Sequence, residues 1–296
     1  MIGTVTLNPA VDQTMRVDGP LAPDEVIRVE DARFDPGGKG INVSKYLTAM
    51  GTETVATGVL GGFVGRHVAE RLESAGIATA FVDIEGVTRM NTTVLAADDE
   101  YKLNQAGPQV SPADVDAVVE KLRTRSPGTV VVAGSLPPGL DSDAIDRLAR
   151  AGPWETVVDV DGPLLRELDA EFELCKPNVT ELEAATGREI TGVESAIEAA
   201  RELRGDRFDR VLASLGPEGA VLVSADGVVH EPAIDCEVVD TVGAGDALLA
   251  GVLAATDAGA DDADALHAGV VSATAAVSTQ GTTLPSLPEP TASGVD

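Results

Sequence analysis

The most informative segment of the sequence reads Asp240-Thr241-Val242-Gly243-Ala244-Gly245-Asp246-Ala247-Leu248-Leu249, a glycine-rich turn that leads directly into a helix with apolar periodicity. Glycine lets backbone N–H groups converge without obstruction by side chains, and a helix N-terminus carries partial positive charge, so the turn suits a phosphate group. Asp246 falls in the first helical turn, where a carboxylate can accept the proton of a hydroxyl group that attacks a phosphoryl group. The same pattern is also typical of an ordinary helix start in which an aspartate stabilises the helix dipole.

Along the rest of the chain, short β-branched runs alternate with longer helical patterns. The predicted strands cover residues 2–7, 54–59, 129–132, 156–159 and 210–213. The predicted helices cover residues 41–50 and 64–75, and others begin after Ser111, after Asp141, near Gly243 and near Asp261. Strands that alternate with helices imply parallel βαβ units with right-handed crossovers. The sequence therefore predicts an α/β fold with a mostly parallel central sheet.

Two stretches interrupt this alternation. Residues 14–34 and 77–105 alternate apolar and polar side chains, as half-buried antiparallel strands do, and neither contains a helical pattern. We interpret them as a small β-sheet beside the main domain, a candidate lid over a cleft; an irregular edge extension of the main sheet is the alternative. The predicted main domain comprises residues 1–13, 36–76 and 107–296, and the predicted lid comprises residues 14–35 and 77–106. The proline-containing segment 284–290 is expected to be frayed.

A second glycine turn precedes the first predicted helix. It reads Asp35-Pro36-Gly37-Gly38-Lys39-Gly40-Ile41-Asn42-Val43-Ser44, with a cation and an amide at the start of the helix. It is not a P-loop, because no Ser or Thr follows Lys39 and the first glycine has the wrong spacing. The dinucleotide fingerprint G-x-G-x-x-G is absent as well, which disfavours a dehydrogenase. By itself the segment is either a ligand-binding loop or a plain tight turn.

Two further segments are candidates for the nucleotide side of a site. In the segment 176–181, Asn178 and Glu181 form a capping-box pattern at a helix start. Lys176, Asn178 and Glu181 could also face nucleotide phosphates and a hydrated magnesium ion, which needs only one or two protein carboxylates. The segment 214–219 follows a predicted strand and is either a loop that lines a nucleotide pocket or a plain hairpin.

Polar residues near other predicted strands are candidates for the substrate side. Asp12 and Ser135 follow the strands 2–7 and 129–132, and open α/β sheets place ligands at the carboxyl ends of their strands. Arg89 and Asn91 are two residues apart, so on an extended strand they face the same side. The Arg89 guanidinium could hold a substrate phosphate in bidentate fashion, although a solvated arginine is the ordinary alternative.

Composition excludes several classes of function. The 296 residues include 21 Lys plus Arg against 49 Asp plus Glu, a formal net charge of −28, which repels nucleic acid and anionic membranes. No apolar run approaches the about 20 residues that cross a bilayer, and the N-terminal residues lack a signal-peptide pattern. Cys175 and Cys236 are too few for a disulfide framework and are expected to be small buried side chains. We therefore expect a cytoplasmic protein without a nucleic-acid or membrane partner.

The order of these segments resembles that of the ribokinase-like PfkB family of carbohydrate kinases over nearly the whole chain. The resemblance rests on the segments Thr6-Leu7-Asn8-Pro9-Ala10-Val11-Asp12, Gly37-Gly38-Lys39-Gly40-Ile41-Asn42-Val43 and Asp240-Thr241-Val242-Gly243-Ala244-Gly245-Asp246. The branch that matches best contains 1-phosphofructokinases and tagatose-6-phosphate kinases. The family implies a three-layer α/β/α domain with a mostly parallel central sheet, a β-sheet lid and often a homodimer formed through the lids.

The resemblance also implies a role for each candidate residue. Asp246 matches the base that takes the proton from the sugar hydroxyl group, and the amides at Gly243, Ala244 and Gly245 match the anion hole for the transferring phosphoryl group. The resemblance matches Asp12, Gly38 and Asn42 to positions that hold the sugar and Arg89 to the arginine that binds the substrate phosphate. Their neighbours in the same segments and at the strand ends complete the candidate sugar side: Gly37, Lys39, Asn91 and Ser135. The positions on the nucleotide side are Lys176, Asn178, Glu181, Ser214, Gly216, Gly219, Thr241 and Gly245, with Glu181 binding magnesium through water.

The reaction implied by the resemblance is the Mg²⁺-dependent transfer of a phosphoryl group from ATP to the free primary hydroxyl group of a ketohexose phosphate. Fructose 1-phosphate is the first expected acceptor, fructose 6-phosphate or tagatose 6-phosphate the second, and a neutral sugar, sugar acid or nucleoside the third. Two lid positions depart from the branch, which commonly has lysine in place of Thr93 and glutamate in place of Lys102. A non-catalytic sensor of sugars or nucleotides is the rival from another class, and the intact Asp246 argues against it.

We expect the net charge of −28 to make the stability of the fold dependent on salt. Mutual repulsion of this size loosens a compact state at low ionic strength, whereas at molar salt the Debye length falls to about 3 Å and the repulsion is largely screened. The free energy of unfolding should therefore rise through a potassium chloride series, as for a protein adapted to a salt-rich cytoplasm. Full stability in dilute buffer would instead indicate an ordinary acidic enzyme.

Overall fold

The computed structural model describes residues 1–97 and 99–279, so the segment 284–290 lies outside the described residues. The strands are β1 Ile2–Thr6, β2 Ala10–Val17, β3 Val29–Gly37, β4 Thr54–Leu60, β5 Ala78–Thr79, β6 Val82–Asp83, β7 Arg89–Ala96, β8 Asp99–Asn104, β9 Thr129–Ala133, β10 Glu155–Asp159, β11 Phe172–Cys175, β12 Phe208–Ser214, β13 Ala220–Val223 and β14 Val228–Glu231. The helices are α1 Lys39–Ala49, α2 Gly62–Ser74, α3 Pro112–Arg125, α4 Ser142–Arg150, α5 Gly162–Glu167, α6 Val179–Thr186, α7 Val193–Arg204, α8 Ala244–Asp257 and α9 Asp262–Val277.

A large sheet forms the centre of the structure, in the strand order β14-β13-β12-β11-β10-β9-β1-β4-β5, with β6 also paired to β4. Neighbouring strands from β12 to β5 are parallel, whereas β13 is antiparallel to both β12 and β14. The predicted mostly parallel sheet is therefore confirmed. Strands β11, β13 and β14 have no counterpart among the predicted strands, because each has only four residues, which is too short a run to show a period.

Strand β1 lies where the order of the sheet changes direction. It pairs with β4 on one side and with β9 on the other. Such a switch point leaves a crevice outside the carboxyl ends of the strands, where open α/β sheets bind ligands. Several of the predicted site residues, including Asp12, Ser135 and Lys176, follow strands that end at this edge.

Alternate residues of the central strands enter two separate apolar cores. Val130 and Val132 of β9 belong to a core that includes residues of α3 to α7, whereas Val131 and Ala133 belong to a core formed with α1, α8 and α9. Because helices cover both faces of the sheet, its strands are nearly continuous β-branched runs. The expected three-layer α/β/α arrangement is confirmed. Across the described residues, none of the helices combines the length and the apolar character that crossing a bilayer requires.

A second sheet of four strands has the order β3-β2-β7-β8. Strand β2 pairs antiparallel with β3 and parallel with β7, which pairs antiparallel with β8. The register places Asp12 opposite Asn91 on one side and opposite Asp35 on the other. A small sheet separate from the main one is therefore present, as the alternating residues predict.

The composition of this small sheet differs in part from the prediction. Strands β5 and β6 pair with β4 of the large sheet, so residues 78–83 do not join the small sheet, although the second lid segment was predicted to begin at residue 77. Strand β2 also begins at Ala10, earlier than the predicted residue 14. Alternating side chains show that a strand is half-buried, but they cannot show which sheet the strand joins, because pairing is decided by contacts distant in sequence.

Candidate active site

Helix α8 begins at the glycine turn of the most informative segment. Gly243 has a φ of 82°, a conformation that L side chains rarely adopt, and its carbonyl accepts the N–H of Ala247 at 2.8 Å. Before the turn, the N–H of Val242 donates to Oδ1 of Asp240 at 3.0 Å. The first N–H groups of a helix have no acceptor within it. The start of α8 therefore presents N–H groups and partial positive charge to the space in front of it.

Asp246 is buried in the first turn of α8, with 7% of its surface exposed. Its Oδ2 atom accepts a hydrogen bond from Nδ2 of Asn42 at 2.9 Å. Burial is the main reason that the pKa of the Asp246 carboxyl rises to about 6, and the negative charge of Asp159 adds to the rise. The Asn42 hydrogen bond and the ammonium groups of Lys176 and Lys39 act in the opposite direction. The result is a carboxylate that is ionised at neutral pH yet more basic than an ordinary aspartate.

The start of α1 brings Asn42 to Asp246. The helix begins at Lys39, directly after Gly38, whose φ is 119°. A Cβ atom at Gly38 would lie 2.7 Å from Cγ2 of Thr6 in the neighbouring strand β1. Glycine is therefore required here for both conformation and space, and it lets the first turn of α1 approach the edge of the sheet.

Two lysines and two carboxylates form a charged cluster behind this turn. Nζ of Lys39 lies 2.7 Å from Oδ1 of Asp159 and 3.3 Å from Oε1 of Glu181. Nζ of the buried Lys176 lies 3.2 Å from Oδ2 of Asp159. Burial by itself lowers the pKa of Lys39, but the carboxylates of Asp159 and Glu181 outweigh it, so this pKa is raised and Lys39 stays charged. A Cβ atom at Gly245 would lie 3.3 Å from Nζ of Lys176, so this ammonium group borders the first turn of α8.

Asp159 is a site residue that the sequence prediction missed. It is fully buried at the carboxyl end of β10 and contacts both lysines of the cluster. The available signal was its position, since an aspartate that ends a predicted apolar strand falls where α/β sheets bind ligands. An aspartate so placed is also a common way to end a strand, and no spacing motif marks it.

Asn178 and Glu181 form the predicted capping box at the start of α6. The N–H of Asn178 donates to Oε2 of Glu181, and the N–H of Glu181 donates to Oδ1 of Asn178, both at 2.9 Å. The other carboxylate oxygen of Glu181 faces Lys39. The two alternatives for this segment are compatible, because the cap fixes Glu181 in an orientation toward the cleft.

A cavity of about 770 Å³ lies in front of α8. Its polar lining residues include Asn178, Thr180, Ser214, Thr241 and Thr274. Its apolar lining residues include Val238, Leu248, Val270, Ala273 and Val277. Ala244 and Gly245 also line it, so the cavity reaches the first turn of α8. An apolar region that continues to helix N–H groups suits a ligand with a flat apolar part and an anionic part.

The loop between β12 and β13 contributes to the same cavity. It makes the hairpin that was one alternative for this segment, with a 3₁₀ turn at Gly216–Glu218. Ser214, Gly216 and Gly219 line the cavity as well. Cys236 also lines it and is exposed, so the prediction of a buried side chain is wrong for Cys236 but confirmed for Cys175. Hydrophobicity indicated burial, but residues 232–243 cross the surface outside any helix or strand.

On the small sheet, Asp12 and Asn91 form a polar pair. Nδ2 of Asn91 donates to Oδ1 of Asp12 at 2.9 Å across the parallel strands β2 and β7. Gly37 lies close beside this pair, because a Cβ atom there would lie 2.0 Å from Oδ2 of Asp12. A larger residue at position 37 would therefore displace the Asp12 carboxylate.

Arg89 joins the small sheet to the main domain. Its Nε and Nη2 atoms donate to the carbonyl of Asn8 at 3.2 and 3.0 Å, and Nη1 donates to the carbonyl of Gln105 at 3.2 Å. Nη2 also approaches Oγ of Ser135 at 3.4 Å. Burial lowers the pKa of Arg89, opposed by the negative charge of Asp12. Arg89, Ser135 and Asp12 thus lie together at the edge where the small sheet meets the cleft.

The chain is similar to known carbohydrate kinases along almost its whole length. The sequence profile of the pfkB family carbohydrate kinases matches residues 5–290. A 1-phosphofructokinase of Haloferax volcanii is 53% identical over 287 residues, which cover 97% of this chain and 94% of the relative. A D-tagatose-1-phosphate kinase of Bacillus licheniformis is 35% identical over 84% of each chain. The crystal structure of phosphofructokinase-2 from Escherichia coli in complex with potassium has a TM-score of 0.88 at 29% identity, and the alignment covers 96% of this chain and 94% of that one.

The matched range 5–290 contains every segment on which the resemblance rests, from Thr6 to Asp246. The likeness to the solved structure extends over both sheets, since it covers 96% of the chain. The ribokinase-like fold expected from the resemblance is therefore confirmed. By sequence and by structure, this chain belongs to the pfkB family of carbohydrate kinases.

Proposed function

We propose that this chain transfers a phosphoryl group from ATP to fructose 1-phosphate and releases fructose 1,6-bisphosphate. One observation carries the proposal: the buried carboxylate of Asp246 accepts a hydrogen bond from Asn42 in the first turn of α8, and the two residues before it, Ala244 and Gly245, line the cavity. In this proposal the phosphoryl donor binds in the cavity and the acceptor hydroxyl group binds at the Asp246 carboxylate, so that the two reactants meet at the first turn of α8. The relative named 1-phosphofructokinase supports fructose 1-phosphate as the acceptor.

Asp246 is the general base in this proposal. The oxygen of the acceptor's primary hydroxyl group attacks the γ-phosphorus of ATP, and its proton passes to the Asp246 carboxylate. The bond from phosphorus to the β–γ bridging oxygen breaks, and ADP leaves with its electron pair. The N–H groups at Gly243, Ala244 and Gly245 stabilise the negative charge of the group in transfer. Lys176, whose Nζ borders Gly245, adds a positive charge on the same side.

ATP is the phosphoryl donor that the family implies, and the cavity of about 770 Å³ has the features to bind it. Its apolar part, with Val238, Val270 and Val277, fits the flat base. The hydroxyl and amide side chains beside the first turn of α8 fit the ribose and the phosphates. In this arrangement the γ-phosphoryl group lies nearest to Gly245.

The charged cluster fits Mg²⁺ as well. Oδ2 of the buried Asp159 makes an ion pair with Lys176 but no hydrogen bond among the described residues. Glu181 provides a second carboxylate on the other side of Lys39. Magnesium keeps several waters and binds one or two carboxylates plus phosphate oxygens, so this donor set is sufficient. When bound, Mg²⁺ would neutralise charge on the ATP phosphates, with Glu181 holding it through water.

The sugar phosphate is proposed to bind between the small sheet and α1. Asp12 can accept hydrogen bonds from sugar hydroxyl groups, held in place by Asn91. Arg89 and Ser135 are proposed to bind the phosphate that the sugar already carries. The backbone at Gly37 and Gly38 allows close approach, and Lys39 and Asn42 complete the acceptor side.

A second candidate acceptor is tagatose 1-phosphate, since a relative at 35% identity is named a D-tagatose-1-phosphate kinase. The two acceptors differ in the configuration of one hydroxyl group, and the residues near Asp12 do not by themselves select between them. A coupled kinase assay in high salt decides the question. It compares fructose 1-phosphate, fructose 6-phosphate, tagatose 1-phosphate, tagatose 6-phosphate and free fructose, and the acceptor with the highest kcat/KM identifies the activity.

We also propose that two copies of this chain associate through their small sheets. Phe34, Tyr101 and Leu103 are 40%, 40% and 58% exposed. The strand register puts them on the face opposite to Asp12 and Asn91, because successive residues of a strand point to opposite faces. The sheet thus has a polar face toward the cleft, and its other face carries exposed apolar side chains that a second copy can cover.

Asp246→Asn is expected to lower kcat by at least about 100-fold, the usual scale for loss of a general base, while ATP binding is roughly retained. The wild-type enzyme should also lose activity as the pH falls through about 6, because Asp246 must be unprotonated to accept a proton and its pKa is raised to about 6.

Steady-state kinetics across pH and ATP titration measure these effects, with Asp257→Asn as the matched control. Asp257 is an exposed aspartate at the other end of α8, and its variant should behave as wild type. Wild-type turnover by the Asp246 variant would exclude Asp246 as the base.

Arg89→Ala is expected to raise KM for the sugar phosphate by about 10-fold or more without a comparable change for ATP, because a charged hydrogen-bond partner of the phosphate is lost. Arg16→Ala is the control. Arg16 is exposed on the adjacent strand β2, six residues after Ala10, which pairs with Arg89. Initial-rate measurements with each substrate varied in turn separate the two KM values. An equal effect on both would remove Arg89 from the substrate site.

Leu103→Glu is expected to shift the protein from dimer to monomer, because it places a charge in the apolar face of the small sheet. Sedimentation equilibrium at molar salt measures the mass. Lys102→Glu changes the neighbouring residue on the opposite face and should leave the mass unchanged. A wild-type protein that sediments as a monomer would contradict the proposed association.

A further inference from the structure

Lys45 is a half-buried lysine one helical turn beyond Asn42 on α1. Residues three apart on a helix are neighbours on its surface. Nζ of Lys45 lies 3.3 Å from Oδ1 of Asn42 and also donates to the carbonyl of Pro36. The contact with Pro36 ties the lysine to the strand β3 that precedes α1. The ammonium group is therefore held in a position from which it can donate to the Asn42 side chain.

The orientation of the Asn42 amide matters for Asp246. An asparagine side chain has a donor end and an acceptor end of nearly the same shape. Here the donor end, Nδ2, points at Oδ2 of Asp246 at 2.9 Å. A rotation of the amide by half a turn would instead place Oδ1 against the carboxylate, where two acceptors repel each other. A lysine has donors and no acceptor, so Lys45 is compatible only with the productive orientation.

We infer that Lys45 is a positioning residue, which fixes the Asn42 amide so that Asn42 orients the Asp246 carboxylate for proton transfer. This inference deepens the proposed function and rests on Asp246 being the base. With one carboxylate oxygen occupied by Asn42, the other is left for the acceptor hydroxyl group. Lys45 acts through Asn42 and does not itself contact the acceptor hydroxyl group.

The charges around Lys45 support a second effect on the base. The groups that face it are Asp35 and Arg33 of β3, Asp12 of β2 and Asp246 of α8. Burial lowers the pKa of Lys45 to about 8, and the three carboxylates oppose this, so Lys45 is largely protonated at neutral pH. Because the Asp246 charge favours protonated Lys45, protonated Lys45 must by the same amount favour ionised Asp246.

Removing this charge should therefore raise the pKa of Asp246. Besides burial, the groups with the largest effects on that pKa are Asp159, Asn42, Lys176 and Lys39, and they remain in place when only Lys45 is changed. Loss of Lys45 should thus move the acid limb of the activity profile to higher pH. A residue that only fills space would not move this limb.

The test compares Lys45→Met, which keeps the length of the side chain but has no donor, with Lys45→Arg, which keeps the charge and the donors. The methionine variant should lose kcat by about 10- to 100-fold, the scale of a misplaced catalytic group, with both KM values within about 2-fold of wild type. Its acid limb should move above the wild-type position. The arginine variant should recover most of the lost kcat and keep the limb near its wild-type position.

Lys121→Met is the matched control, because Lys121 is exposed on α3, away from the cleft. Thermal unfolding of each variant shows whether it folds. If the methionine variant does not fold, the same measurements are made on Lys45→Gln, a polar but uncharged replacement. A folded variant without the Lys45 charge that keeps the wild-type kcat and acid limb would overturn the inference. The Asp246→Asn variant is measured in the same experiments. If Asp246→Asn is inactive while the Lys45 variant behaves as wild type, only the role of Lys45 is refuted. If Asp246→Asn is fully active, the proposed function is refuted.

Discussion

The cleft is organised around the buried carboxylate of Asp159 and the two ammonium groups that neutralise it. When a buried ion pair loses one partner, the uncompensated charge destabilises the fold by about 3–5 kcal/mol. Asp159 therefore holds both lysines beside it. Lys39 begins α1, and Lys176 follows β11. Their contacts with the end of β10 therefore fix α1 relative to β10 and β11, although Lys39 and Asp159 are 120 residues apart in the sequence. The same contacts fix the first turn of α1, which carries Asn42.

This cluster also reconciles the acidic surface with a function that involves anionic ligands. The chain has five lysines, and Lys39, Lys45 and Lys176 lie at the cleft. A net charge of −28 repels phosphates at long range, but the range of that repulsion is only a few ångströms at high salt. Phosphate binding then depends on local cations and helix N–H groups, and these are what the cleft provides.

Most of the fold could be predicted from the sequence because its strands and helices differ in period and length. The glycine turn before Asp246 also identified its own helix, since Gly243 at positive φ and the apolar residues after it are local features. Asp159 and Lys45 were missed for a common reason: neither belongs to a local motif, and each acquires meaning from partners on other elements. The same reason explains why strands β5 and β6 were assigned to the wrong sheet. Their alternating side chains could not show that both pair with β4.

The sequence alone therefore determined the α/β class, the glycine turns and the helix starts, because backbone conformation and apolar periodicity are properties of neighbouring residues. Tertiary structure decided which side chains meet. It placed Asn42 against Asp246 and Asn91 against Asp12, and it raised the pKa of Asp246 by burying it near another carboxylate. Electrostatic interactions in a cleft depend on distance and on exclusion of water, and both are set by the packing of elements that are far apart in the chain.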